Sequence, residues 1–199
     1  LAQENQFREA ANLMDAVKQL MSSFDSITYN NIPIIIEIKN KIHVIYNHLK
    51  KHAHRAFREI GQLVDTVAVS AINNNDTIND GMGSNSNNIN SFSDTCLVVD
   101  SLGISARREL IEEFVQLQLL PYEQLFGQDK EHFKLDSVER RWAWFKKMLK
   151  NIDTKFATMC PTHWRLALRL CLEFTERTKI HLIKLLSHTH VFINNQKII

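Results

Sequence analysis

A chain of 199 residues, 44% of them hydrophobic and 23% charged, is long enough to bury a core in one or two domains and has an ordinary globular composition. Its 24 basic and 22 acidic side chains leave a formal charge of +2, which argues against a strong polyanion partner such as nucleic acid. No apolar run approaches the roughly 20 residues that span a bilayer; the densest, "IPIIIEI", is cut by Glu37, so the expectation is a soluble or at most peripheral protein.

The apolar spacing reads as helix nearly everywhere. Phe7, Ala10, Met14, Val17, Met21 and Phe24 step by three and four, as one face of a helix does. The polar start at Leu1 lacks the pattern of a signal peptide and reads as a fragment whose upstream sequence is missing. Pro33 suits a first helical turn, where its missing N–H has no partner to lose. From there Ile38, Ile42, Ile45, Leu49, His52, Ala56, Ile60, Leu63 and Val67 predict a second, long helix, with Gly61 a place for a bend or an end. Residues 73–93, rich in Asn, Ser and Gly, hold too little apolar surface to offset chain entropy and predict a disordered insert.

Order resumes at "DTCLVVDSLG", a short helix capped by Asp94 and ended by Gly103. Ser105 is placed to cap the next helix, with Leu110, Phe114 and Leu117 inward, a break at Pro121 and a stop at Gly127. Asp136 and Glu139 form a capping-box pattern before a helix whose Val138, Trp142, Phe145, Leu149, Ile152 and Phe156 make the apolar stripe. "CPTHW" breaks the chain, and Thr162 is placed to cap a last long helix carrying Trp164, Leu168, Cys171, Thr175, Thr178, Leu182 and Leu185 inward. No strand alternation with turn chemistry occurs, so the expected fold is all-α.

The stretch "LDSVERRWAWFKKMLKN" asks for a choice between a ligand-gripping basic helix and a bundle rib. On a wheel of 100° per residue its aromatic stripe and its bases Arg140, Lys147 and Lys150 fall on opposite sides, unlike a stacking platform for bases. That favours a core stripe backed by a solvated face. Trp144 falls off the stripe, beside Arg140 and Arg141, either of which can stack on its ring; internal burial is the favoured reading, with a docking role the alternative. The runner-up for the whole helix is a membrane- or nucleic-acid-binding face over residues 136–158, using Arg140, Lys146, Lys147 and Lys150.

Elsewhere the chemistry-bearing residues favour structural roles. His48 and His52 lie one turn apart near His54, but no Glu completes a zinc-binding pattern, and His188 and His190 stand alone. Glu109, Glu112 and Glu113 share a helix with Arg107 and Arg108 and read as solvated ion pairs. Cys96, Cys160 and Cys171 are odd in number and lack a Cys-x-x-Cys pair, which favours reduced thiols. With no phosphate loop, nucleophile elbow or Cys/His arrangement, no enzyme activity, cofactor or metal is expected.

The blocks "CLVVDSLG", "RRELIEEFVQLQLLPYEQLF", "LDSVERRWAWFKKML" and "CPTHWRLALRLCLEF", preceded by "FREAANLMDAVKQLMSSFDSITYNNIPIIIEIKNKI", resemble one family: the vacuolar protein sorting-associated protein numbered fifty-three. The most specific residues of the resemblance are Leu135, Asp136, Arg140, Arg141, Trp142, Ala143, Trp144, Pro161 and Trp164. Trp142 replaces a tyrosine usual in the family; facing the expected core stripe, it is expected to keep the packing and lose a hydroxyl.

The resemblance implies a subunit of the Golgi-associated retrograde protein complex and the endosome-associated recycling complex, multisubunit tethers of the helical-rod class. It implies sister subunits as partners, SNAREs and small GTPases as further candidates, and peripheral placement on the cytosolic face of trans-Golgi network and endosome membranes. The implied architecture is an elongated antiparallel helical bundle: a long helical hairpin over residues 1–72 after an upstream coiled coil, the insert over 73–93, a helical-bundle rod segment over 94–195 and a tail over 196–199. A scaffold of an unrelated coiled-coil assembly is the other alternative.

Overall fold

The structure, a computed structural model, describes residues 2–24, 32–70, 86–128, 130–156 and 159–196, and side chains within 6–24, 32–59, 92–128, 130–156 and 159–187. In chain order the helices are α1 (Ala2–Ser22), α2 (Pro33–Ser70), α3 (Ser86–Leu102), α4 (Ile104–Gln118), α5 (Leu120–Phe126), α6 (Val138–Phe156) and α7 (Leu166–Gln196). Short 3₁₀ turns at Leu135–Ser137 and Thr162–Trp164 precede the last two. No strand occurs among the described residues, and the fold is all-α.

Two compact units divide the chain. The first comprises Leu1–Ile60, Ile78–Glu112 and Met159–Pro161. In it α1 runs along α3, and Ala11, Met14, Val98, Leu102 and Ala106 form a buried cluster edged by Phe7, Tyr46 and Leu49. Small side chains at Ala11 and Ala106 allow close backbone approach, with the larger neighbours packed around them. The Phe7 ring also covers His52, at 4.6 Å between centroids. Charges tie the helices at their edges: Arg8 to Asp94 at 2.9 Å, Lys50 to Glu109 at 2.6 Å and Arg107 to Asp100 at 2.8 Å.

The second unit comprises Gly61–Thr77, Glu113–Thr158 and Thr162–Ile199. Its centre is aromatic. Phe174 of α7 is fully buried and stacks on Phe145 of α6 at 3.9 Å, while Phe114 of α4 meets Phe156 of α6 edge-on at 5.1 Å. Burying such a side chain contributes about 2–3 kcal/mol, which is what holds α4, α6 and α7 together.

Several expected boundaries hold. Pro33 opens α2, and Gly103 ends α3 with φ of +107°, a backbone conformation that L side chains rarely adopt. Pro121 has no N–H to continue α4, so α5 begins around it, and the Gly127 N–H closes α5 on the Glu123 carbonyl at 2.9 Å.

Others are corrected. The insert expected over 73–93 lies partly outside the described residues, but 86–93 already belong to α3, so Asp94 is inside a helix. It is buried as the partner of Arg8 instead of acting as a cap. Residues up to Glu112 group with α1 in the first unit, because the apolar face of α3 meets that helix. Ser105 sits in the first turn of α4, whose first bond runs from Arg107 N–H to the Gly103 carbonyl. Asp136 lies within a 3₁₀ turn, since helical winding starts just after Lys134. Thr162 likewise opens a 3₁₀ turn. Arg165, with φ of +51°, then hands the chain to α7 and accepts from the Arg169 N–H. Helix α2 continues through Gly61 without ending there.

Helix faces shift as well. In α2 the inward residues are Ala53 and Phe57, whereas Ile38 and Ile45, expected inside, are exposed. In α7 the buried stripe is Leu166, Leu170, Phe174, Thr178 and His181; Leu168 and Thr175, expected inside, face water. His188 and His190 have side chains outside the described residues.

Candidate functional site

The motif-bearing helix α6 buries a charge. Arg141 is wholly inaccessible to solvent, and Phe145, Met148, Ile152, Trp144 and Phe156 lie within about 60° of it on a helical wheel. The stripe expected on Val138, Trp142 and Leu149 is therefore rotated: Trp142 is 41% exposed, while Val138 and Leu149 are half-buried. The physical reason is that a guanidinium can enter a core when its N–H donors are met, and here four neighbouring groups meet the four of Nη1 and Nη2, the Nε–H alone having no partner among the described residues.

Arg141 Nη1 donates to the Tyr122 hydroxyl at 2.8 Å and to His181 Nδ1 at 3.1 Å. Its Nη2 donates to the carbonyls of Phe126 at 3.1 Å and His132 at 3.4 Å. The guanidinium carbon lies 5.1 Å from the Phe126 ring centre, 5.7 Å from that of Tyr122 and 6.0 Å from that of Phe133, so ring faces solvate the charge on the remaining sides. Among the described residues no carboxylate touches Arg141.

The counter-charge is one residue removed. His181 Nε2 meets Glu123 Oε2 at 3.3 Å, and Arg177 meets the other oxygen of Glu123 at 3.5 Å. Because Arg141 can only donate, His181 Nδ1 must accept, which places the imidazole proton on Nε2 facing the carboxylate. Burial lowers the His181 pKa, Glu123 opposes that shift, and Arg141 and Lys184 add to it, so the ring is neutral at pH 7. The Tyr122 hydroxyl completes the set at 2.9 Å from Thr178 Oγ1. The result is a polar lattice that ties α5, the segment after it, α6 and α7 together. It offers no activated nucleophile, and among the described residues no group of three or more His, Cys, Asp or Glu could hold a metal ion.

The nine motif residues separate into classes. Arg141 and Trp144 are in the lattice and its aromatic wall; Trp144 packs on Tyr122 at 5.7 Å and Phe126 at 6.5 Å. Trp164 is buried as well. Leu135, Asp136, Arg140 and Ala143 are exposed, with Arg140 reaching the His132 ring at 3.2 Å instead of stacking on Trp144. Pro161 is half-buried and belongs to the first unit. Trp142 lays one edge on Phe174 at 5.1 Å and leaves the rest in solvent, so a tyrosine there would place its hydroxyl near water. Of the two neighbouring tryptophans, Trp142 is the one a partner can reach. The bases Lys146, Lys147 and Lys150 are exposed as expected.

Spacing analysis overlooked Tyr122, Glu123 and His181, and placed Thr178 inward without its hydroxyl partner. The available signal was Phe174, Thr178, His181 and Leu185 stepping 4-3-4 along α7, a register in which a histidine and a threonine replace aliphatics.

Comparison with known proteins returns one family. A family model described as Vps53, N-terminal matches residues 1–196. The chain is 32% identical over 179 residues to vacuolar protein sorting-associated protein 53 A of Arabidopsis thaliana, covering 90% of this chain and 19% of that protein. It is 27% identical over 186 residues to protein 53 B of the same plant, covering 94% and 29% respectively. To vacuolar protein sorting-associated protein 53 of Saccharomyces cerevisiae it is 33% identical over 70 residues, 35% of this chain and 8% of that protein. The chain thus spans well under a third of the length of these relatives. No solved structure matches.

Proposed function

Because the chain belongs to the Vps53, N-terminal family, we propose that it is a non-catalytic helical segment of a multisubunit vesicle-tethering complex. The complex acts in retrograde transport from endosomes to the trans-Golgi network and in endosomal recycling. The family match over residues 1–196 is the observation that carries this reading. The all-helical build supports it: a tether needs reach, and stacked helices give about 1.5 Å per residue through local contacts alone. A polar centre organised around a permanently charged, unreactive arginine is consistent with a strut.

In this reading the sister subunits are the stable partners, SNAREs and small GTPases are captured in passing, and the complex sits on the cytosolic face of the two membranes. Several weak sites on one assembly hold a vesicle through effective concentration, without a strong single site. No described helix is long and apolar enough to cross a membrane, so attachment through the complex suffices.

Affinity purification of the full-length protein followed by partner identification tests the proposal. Recovery of sister tethering subunits in stoichiometric amount is the expected result; their absence overturns it. Small-angle scattering of this chain, expected to give an extended particle, tests the rod geometry separately.

A further inference from the structure

The tethering reading makes no use of the cysteines, yet two of them meet. Cys96, in the middle of α3, is fully buried, and its Sγ lies 3.8 Å from the carbonyl oxygen of Met159, the residue joined directly to Cys160. That contact sets Cys160 beside Cys96. Both thiols are free, and both belong to the first compact unit although 64 positions separate them in sequence. Cys171, the third thiol, lies in the second unit.

From this geometry we propose that Cys96 and Cys160 form an oxidisable dithiol, a modification site whose co-substrate is a hydroperoxide and whose product is an intrachain disulfide.

The two members have different roles. Cys160 is half-buried and lies in the bend before Pro161, outside any helix, so a peroxide can reach it and its backbone can move to bring the sulfurs together. Cys96 is inaccessible, so peroxide cannot oxidise it directly. Interaction with Cys160, then burial, push the Cys96 thiol far above its ordinary pKa, so Cys96 is not the thiol that first meets the peroxide.

In the first step the Cys160 thiolate attacks the peroxide. An S–O bond forms as the O–O bond breaks, and the leaving alkoxide or hydroxide takes up the thiol's proton. Cys160 is then a sulfenic acid. In the second step the Cys96 sulfur attacks the Cys160 sulfur. The S–S bond forms, the S–O bond breaks, and hydroxide leaves as water with the Cys96 proton. Overall two thiols give up two electrons and two protons, and the peroxide is reduced to an alcohol, or water, plus water. The disulfide pins the bend before Pro161 onto α3.

The test is to treat the reduced full chain with a small excess of hydrogen peroxide, alkylate it under denaturing conditions and measure intact and peptide masses. The expected result is loss of two alkylatable thiols, a mass lower by two hydrogens and a Cys96–Cys160 cross-linked peptide that a dithiol reductant restores. Cys171→Ser should leave that peptide unchanged, and Cys160→Ser should reduce it to background while Cys96 stays alkylatable. Accumulation of Cys160 sulfinate beside a reduced Cys96 overturns the proposal, as does a predominance of intermolecular or Cys171-containing disulfides.

Discussion

The two compact units manage charge in opposite ways. In the first, Arg8, Lys50 and Arg107 each meet a carboxylate directly, and at least one member of each pair keeps contact with water; Arg8 is 66% exposed. In the second, Arg141 is closed off from solvent and among the described residues meets no carboxylate, only a phenol, an imidazole, two carbonyls and three ring faces. An exposed pair is nearly indifferent to its own loss, because water replaces either partner. A buried cation satisfied by neutral groups is not, since every acceptor it leaves behind is stranded. A buried charge such as Arg141 is therefore a keystone, while an exposed pair such as Lys50 with Glu109 is close to dispensable.

The largest effect that can break this comparison is at Arg141. Arg141→Met keeps the volume but orphans His181 Nδ1 and two carbonyls, and should cost about 3–5 kcal/mol in urea unfolding. Arg141→Lys keeps the charge but cannot span the fork, and should recover only part of that loss. A cost below about 1 kcal/mol for both would place Arg141 with the surface pairs.

Next comes Gly127, which supports the same lattice by closing α5. A Cβ there would overlap the Glu123 carbonyl oxygen, and Gly127→Ala should cost about 1–3 kcal/mol in thermal unfolding.

A smaller effect is pH dependence. The folded-state pKa of His181 is below its ordinary value near 6.5, so the unfolded chain binds the extra proton first. Stability is therefore full above about pH 6.5 and falls as pH drops from there through the lowered pKa. His52, lowered by burial and then by Arg55, contributes in the same direction. His181→Gln keeps an acceptor for Arg141 and a donor for Glu123, and should flatten this acid-side slope in melts taken between pH 7 and pH 5. The smallest effect belongs to the first unit: Lys50→Ala, which leaves Glu109 in water, should change stability by under about 1 kcal/mol, and less at high salt.

How much of this could be read from the residues follows from what each signal measures. Pro33, Gly103, Pro121 and Gly127 were legible because each acts through its own backbone, independent of neighbours. Helix faces were less so. Counting apolar residues assigns Arg141 to water by default, and that single assumption turns the α6 stripe away from Trp144 and toward Trp142. The same habit hid His181 on α7, since a buried polar residue is recognisable only through a partner far away in sequence. Asp94 reads as a cap for the same reason: its partner Arg8 is 86 positions distant. The family motif was visible as a string, but its division into a buried charge, a buried indole and a solvent-facing indole required the neighbouring helices.

That division gives the molecule a built-in optical reporter. Of its three tryptophans, Trp144 and Trp164 are enclosed and Trp142 is 41% open. Iodide should quench one emitting indole and spare two, and any partner settling on that side of α6 would shield it from the quencher without a dye attached.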